Sequence, residues 1–385
     1  MPGDGRLFIA TTPTQLSELT ERLSTKVFVG VDTESNSLHA YKERLCLLQF
    51  STDREDAVVD PLAVKDLTPL AGILANPEIE KIFHAAEYDL IVLNRDYGFP
   101  IVNLFDTMIA ARTLGRKKVG LGNLLEEEFG IKLEKRFQRA DWGERPLRRE
   151  LLEYARMDTH HLIELRDRLK DELDAHGRWE LAKEDFKRLP QLIKASSEPV
   201  EQDVWRIKGA RDLNPRQAAI LQELARYREA KAAAVDVPLF KVIGDSTLTA
   251  IAVKRPSAPK DFEDIEGMTT GQVQRHGKGL LDAVKRGEKA PPLRRPKRPP
   301  YDEEFVARLD KLRAWRKAAA KEMEVESDVV LPRDVMEAVA RANPKKLSEL
   351  EPIMAQVPWR MRNFASQIVN NLKGEETTMN TNKHK

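Results

Sequence analysis

Cysteine is nearly missing from this chain: Cys46 stands alone among 385 residues, inside the apolar run Leu45-Cys46-Leu47-Leu48. A disulfide within the chain is excluded, and a buried, inert thiol in a reducing compartment is the expectation. Long apolar runs are missing as well. No uninterrupted stretch approaches the ~20 residues that span a bilayer. The run Leu7 to Ala10 is too short for a signal peptide and lacks its basic leading region. A soluble, cytoplasmic protein is expected. There is no G-x-x-x-x-G-K-[ST] loop to cradle a nucleotide phosphate, and Gly115, Gly120 and Gly122 form no dinucleotide pattern. Seven histidines and one cysteine include no zinc spacing, so His84, His160 and His161 read as packing or surface residues.

What is present is charge, at 33% of residues beside 41% hydrophobic ones, which suits a globular chain of two or three domains. The net charge of only +2 hides an uneven distribution. From Trp205 to Pro300 there are 20 Lys and Arg against 11 Asp and Glu, leaving 44 against 51 in the remainder. A basic middle beside an acidic remainder suits a polyanion held by one part and cut by another; an ordinary solvated helical surface is the plainer reading.

Four carboxylates and one tyrosine carry the chemistry. Asp32 and Glu34 end the apolar run Lys26-Val27-Phe28-Val29-Gly30-Val31, which reads as a strand closing at Val31, and their period-2 spacing puts them on one face. With 62 acidic residues, roughly ten acidic-x-acidic triplets arise by chance, so this pair counts only at a strand's carboxyl end, where open α/β sheets place ligands. Asp89 follows the short strand Lys81 to His84 and opens a helix, where an acid can equally complement the helix dipole. Tyr154 and Asp158 lie one turn apart on a helix whose apolar residues Leu151, Leu152, Ala155, Leu162 and Leu165 keep helical spacing. Hard oxygen donors from separate segments are what a pair of Mg²⁺ or Mn²⁺ ions needs for phosphodiester hydrolysis. Carboxylates so gathered repel one another unless cations sit between them. The tyrosine, with a reference pKa of ~10, would hydrogen-bond an attacking water rather than deprotonate it.

The first 190 residues or so alternate strands and helices. Strands are expected at Val27–Val31, Leu45–Ser51, Ala57–Asp60, Lys81–His84 and Ile101–Phe105, the first three spaced like antiparallel hairpins. Helices are expected at Leu67–Ala75, Tyr88–Asp96, Asp106–Leu114, Leu121–Phe129 and, unbroken, Leu147–Asp174. That is an α/β layer architecture. From about 208 onward the helical period takes over, and two segments repeat. Tyr227-Arg228-Glu229-Ala230-Lys231-Ala232-Ala233-Ala234 with Asp245, Pro256 and Phe262 to Gly267 is echoed by Trp315-Arg316-Lys317-Ala318-Ala319-Ala320 with Asp334, Pro344 and Leu347 to Glu351. A spacing near 88 residues suggests two similar helical domains rather than a solenoid. The second copy has no equivalent of Gly267. Expected domains are 1–200, 208–290 and 301–373, with a basic, proline-rich spacer at 291–300 and a disordered tail at 374–385.

The order Asp32-x-Glu34, Asp89, Tyr154-x-x-x-Asp158 resembles the DEDD exonucleases of the tyrosine subgroup. The stretch from Lys135 to Leu147 resembles the K-x-x-Q-x-S-D-W-x-x-R-P-L segment of the ribonuclease D family. Ala140 departs from its serine, and Thr159-His160-His161 replaces an expected Val or Ala and an aromatic, without loss of a candidate ligand. The two helical repeats resemble HRDC domains, small nucleic-acid-binding modules. This resemblance implies a ribonuclease H-like exonuclease domain followed by two all-α HRDC-like domains. It also implies a monomeric 3′–5′ exoribonuclease acting on RNA, tRNA precursors included. Asp32, Glu34 and Asp158 would hold one divalent ion, Asp32 would bridge to a second that Asp89 reaches directly or through water, and Tyr154 would align the attacking water. A DNA exonuclease of the same superfamily and a catalytically silent nucleic-acid-binding scaffold are the alternatives.

Overall fold

The computed structural model describes residues 7–134, 136–195, 203–296 and 302–374. Lys135 and the expected tail from 375 lie outside the described residues, as does most of the spacer's second half. The first part is a six-stranded mixed sheet. Its elements run β1 (Phe8–Ala10), α1 (Pro13–Ser24), β2 (Phe28–Ser35), β3 (Leu45–Ser51), β4 (Asp56–Val59), α2 (Thr68–Ala75), β5 (Glu80–Phe83), α3 (Glu87–Tyr97), β6 (Leu104–Asp106), α4 (Thr107–Thr113), α5 (Leu121–Phe129), α6 (Arg149–His160), α7 (Leu162–Ala175) and α8 (Trp179–Ala195). The sheet order is β1-β4-β3-β2-β5-β6, with β3 antiparallel to both its neighbours and every other pairing parallel. Val29, Val31, Leu48 and Phe50 bury one sheet face against α1, α2 and α3. Leu47, Val58, Leu151 and Ala155 form a smaller core under α6 on the other.

Three features differ from the sequence expectations. β2 does not close at Val31 but continues through Ser35, because β3 supplies register partners for Asp32, Glu34 and Ser35 at Gln49, Leu47 and Leu45. The expected helix over Leu147–Asp174 is two helices that bend at His161. α6 packs on β2, β3 and β4 whereas α7 packs on β2 and β5, so the chain turns where it crosses between them. Gly30 makes room for that turn: a Cβ there would lie 3.1 Å from the Thr159 carbonyl oxygen and 3.4 Å from Leu162 Cβ. β1, α1 and α8 were not expected at all.

Two helical units follow, each with its own core. The first comprises α9 (Pro215–Val235), α10 (Leu239–Val242), α11 (Asp245–Lys254) and α12 (Thr270–Lys289), closed around Leu224, Leu248, Phe262 and Leu280. Asn214 starts α9 with a reciprocal capping box to Gln217. The second comprises α13 (Glu303–Met323), α14 (Ser327–Val330), α15 (Arg333–Ala342), α16 (Leu347–Leu350) and α17 (Pro358–Lys373), around Leu312, Trp315, Met336 and Ile368. The repeat extends to the backbone: left-handed residues Asp236 and Arg255 recur as Glu324 and Asn343, each pair 88 positions apart.

Candidate active site

The candidate residues come from three elements, the interior strand β2 and the helices α3 and α6. β2 delivers Asp32 and Glu34 from the face covered by α6, and α6 delivers Tyr154 and Asp158 from above. One carboxylate oxygen from each of Asp32, Glu34 and Asp158 lies within 4.8 Å of the others. Asp89, in the first turn of α3, stands outside that triple. It is buried, and its Oδ1 accepts a hydrogen bond from Thr33 Oγ1 at 2.5 Å.

The electrostatics of this group follow from crowding in a dry place. Burial first, then the charges of Asp89, Asp158 and Glu34, push the Asp32 carboxyl well above the usual carboxylate range. Burial with Asp158 and Asp89 does the same to Glu34. Burial raises Asp89 to about 7, against the opposing pull of Thr33, and raises Asp158 to about 7. Burial and the neighbouring carboxylates hold the Tyr154 phenol above its ordinary value, so it is a protonated donor at neutral pH. Three hard oxygens at this separation, each reluctant to ionise alone, are the donor set a divalent cation fits.

Beside the carboxylates opens a cleft of about 400 Å³. Tyr154 and Asp158 form one wall, Leu133, Phe137 and Met157 give it an apolar side, and Lys132, Arg136 and Arg149 line it together with Glu134, Glu150 and Glu153, so its charge is mixed. Phe137 meets Tyr154 edge-on at 5.8 Å between ring centres, and Arg136 stacks on Phe137 at 4.5 Å.

Several residues shape this site without having been singled out in the sequence. Asp106 ends β6 and accepts four backbone N–H bonds, from Ala85, Ala86, Met108 and Ile109. It thereby caps α4 and fixes the turn before α3, where Ala85 is left-handed, so that Asp89 is presented. In the D-W-x-x-R-P-L segment the polar contacts of Arg145 are structural. Arg145 clamps Asp60 through two bonds of 2.7 and 2.8 Å and also reaches the Cys46 and Trp142 carbonyls, while the Trp142 ring lies 6.2 Å from Tyr154. Asp106 carried a findable signal, an Asp directly before a helix; Thr33 carried none. His84 bonds Thr107 and burial lowers it to about 4, and His160 bonds Asp56 at 2.7 Å, so both rings are engaged within the fold. Cys46 is fully buried, which pushes its thiol up to about 11.

Comparison with known proteins matches this architecture part by part. A 3′-5′ exonuclease family model covers residues 7–174, and an HRDC domain model covers 217–284 and again 306–372. The chain is 31% identical to the ribonuclease D of Zymomonas mobilis over 380 residues, 95% of this chain and 94% of that one. The solved structure of Escherichia coli RNase D, described as an exoribonuclease involved in structured RNA processing, superposes with a TM-score of 0.71 at 25% identity, covering 97% of this chain and 100% of the other. The catalytic core of RRP6 from Trypanosoma brucei superposes with a TM-score of 0.64 at 29% identity over 74% of this chain and 80% of that one. From an exonuclease sheet bearing a carboxylate cluster, two HRDC units behind it and identity sustained over nearly the whole length, the chain belongs to the ribonuclease D family and is a 3′–5′ exoribonuclease.

Proposed function

We propose that this exoribonuclease shortens RNA one nucleotide at a time with Asp32, Glu34 and Asp158 around one divalent ion and Asp32 and Asp89 toward a second. The observation that supports this reading is the approach of three carboxylate oxygens to within 4.8 Å, one of them from Asp158, which lines a cleft together with Tyr154. Mg²⁺ or Mn²⁺ held there would lower the pKa of the attacking water and stabilise the leaving 3′-oxygen. The chain's own groups do the rest. Tyr154, kept protonated, donates from its hydroxyl and orients the water for in-line attack. Lys132, Arg136 and Arg149 offer donors to the terminal phosphate beside the glutamates that share the cleft, and Leu133, Phe137 and Met157 offer an apolar wall to its base. The two HRDC-like units, the first of them within the basic middle of the chain, hold the body of the RNA by its phosphates. Maturation of tRNA and other stable RNA 3′ ends in the cytoplasm, by a monomer, is the setting we infer.

The test is digestion of single-stranded RNA blocked at one end or the other. With Mg²⁺, RNA blocked at its 5′ end should be shortened to mononucleotides and RNA blocked at its 3′ end should persist, and chelation should stop the shortening. Matched DNA should be cut more slowly, since the 2′-hydroxyl is what distinguishes the two polymers. Equal rates on DNA would mean that the site does not discriminate by the 2′-hydroxyl. Metal-independent cleavage would refute the proposed chemistry.

A further inference from the structure

Gln49 is fully buried in the middle of β3, and among the described residues neither its side-chain amide nitrogen nor its side-chain amide oxygen has a hydrogen-bond partner. Buried amides are nearly always satisfied, and an orphan in a well-packed sheet calls for a functional explanation. The rest of β3 sharpens the point. Leu45, Cys46, Leu47, Leu48 and Phe50 are apolar, and the other polar residue, Ser51, is fully engaged with Asp56 and Thr159 at 2.7 Å each. A leucine at 49 would suit such a strand and leave nothing unpaired.

Its address supplies the reason. Gln49 is the register partner of Asp32 across the antiparallel β2–β3 ladder, and of Val58 on its other side. Directly opposed residues send their side chains to the same face with Cβ atoms about 5 Å apart. That face is the one α6 covers, with Leu151 and Ala155 over the strands and Asp158 beside Asp32. The uncommitted amide therefore lies beneath the carboxylate cluster, on the protein side of Asp32.

We propose that Gln49 is a positioning residue for the cluster: its Nε2–H donates through one water to the Asp32 carboxylate. Outer partners of this kind fix the orientation of an acidic ligand, and their loss typically costs 10–100-fold in metal affinity. The inference rests on the metal-holding role given above to Asp32, Glu34 and Asp158.

The test is Gln49→Leu in the full chain, read by Mn²⁺ titration calorimetry without RNA, by melting of the metal-free protein, and by kcat and KM on single-stranded RNA. The expected result is a Mn²⁺ Kd weakened by about tenfold or more. At fixed low Mn²⁺ kcat should fall and should recover as Mn²⁺ is raised, while KM for RNA stays within twofold. The metal-free Tm should hold, because leucine is close in volume to glutamine and suits this apolar strand. Gln49→Met, unbranched and of similar length, serves if the leucine variant does not fold. Mn²⁺ affinity within twofold of wild type in the folded variant overturns the inference. So does a loss of affinity matched by a lowered metal-free Tm, which would mark a packing defect. Asp32→Asn separates the two levels: if wild type binds Mn²⁺ no better than Asp32→Asn, the assignment of the metal site itself fails, whatever Gln49 does.

Discussion

Asp32, Glu34, Tyr154 and Asp158 could be picked out from the sequence because local periodicity alone decides which residues share a strand face or a helix face. Thr33 and Gln49 could not, since what they touch depends on the pairing of β2 with β3 and on where α3 starts. Two predictions belong to single residues. Tyr154→Phe removes a hydroxyl but no carboxylate, so the rate should fall by ~10²-fold if water positioning matters as general catalysis does, with metal affinity unchanged. A metal midpoint displaced as far as in Asp158→Asn would put Tyr154 among the ligands. The second prediction concerns pH. In the metal-free protein Asp89 and Asp158 titrate at about 7, against ~4 in the unfolded chain. Through that window the folded state carries protons that the unfolded state has lost, so the stability these groups contribute is full below ~4 and falls as pH rises through their folded values. Divalent cations bind the ionised forms, so their affinity climbs over the same range. The metal-free Tm should thus drop between about pH 5 and 8, less so in Asp158→Asn, and Mg²⁺ should raise Tm more at the upper end. Equal Mg²⁺ shifts at both ends would mean that these carboxylates do not bind the ion.

At the scale of elements, the antiparallel trio β2-β3-β4 was legible in its hairpin-like spacing, and most helices of the first part fall within a residue or two of their expected ends. The bend between α6 and α7 was not legible. Apolar period continues through it from Leu151 to Leu165, and only the approach of Thr159 and Leu162 to Gly30 reveals why the helix must turn. α1 had a readable start in Thr12, whose side chain caps Gln15, followed by Pro13 at the first helical position. The turn from β5 to α3 depends on Asp106, more than twenty residues downstream of Ala85 in its reach. Asp106→Ala would strip four backbone donors of their acceptor at once. Losing a helix cap typically costs ~1 kcal/mol, and buried unpaired donors add to that, so a loss of roughly 2–3 kcal/mol is expected in urea unfolding. Activity should fall as well, because Asp89 rides on the loosened turn. Asp106→Asn, which keeps one acceptor oxygen, should lose less. Identical losses in both variants would mean that the charge of Asp106, not its geometry, holds the turn.

At the scale of the whole molecule, the two helical repeats were visible in the sequence, but their docking on the sheet domain was not. The contacts join charges some 150 to 200 positions apart, and no local pattern encodes them. The first unit reaches the β2–β3 loop, where Asp236 accepts from the Tyr41 backbone and from Arg44 at 3.1 Å each. The second unit is held harder. In the first repeat Arg228 pairs internally with Asp245; in the second, Asp334 turns outward to Arg188 on α8. Gly115 sits at the same junction with φ +87, its Cα side pressed against the Glu324 carbonyl, where no side chain fits. Arg360 is the centre of the interface. Fully buried, it donates to Glu184 at 2.6 Å and to Asp185 at 2.7 and 3.0 Å, and to the Val329 carbonyl within its own unit. The Glu184 carboxylate also accepts from the Trp359 N–H. Removing one side of such a pair strands the other charge in a dry interface, which typically costs 3–5 kcal/mol. Arg360→Ala should therefore release the second unit from α8, seen as an added early transition in urea unfolding. Metal-dependent digestion of short RNA should survive, since every candidate active-site residue lies before residue 159. Longer structured RNA should be bound more weakly, with a shallower salt dependence as fewer phosphates are engaged. A variant that unfolds in one unshifted transition would show that the docking is held elsewhere, and one that loses digestion of short RNA would make the second unit part of the active site.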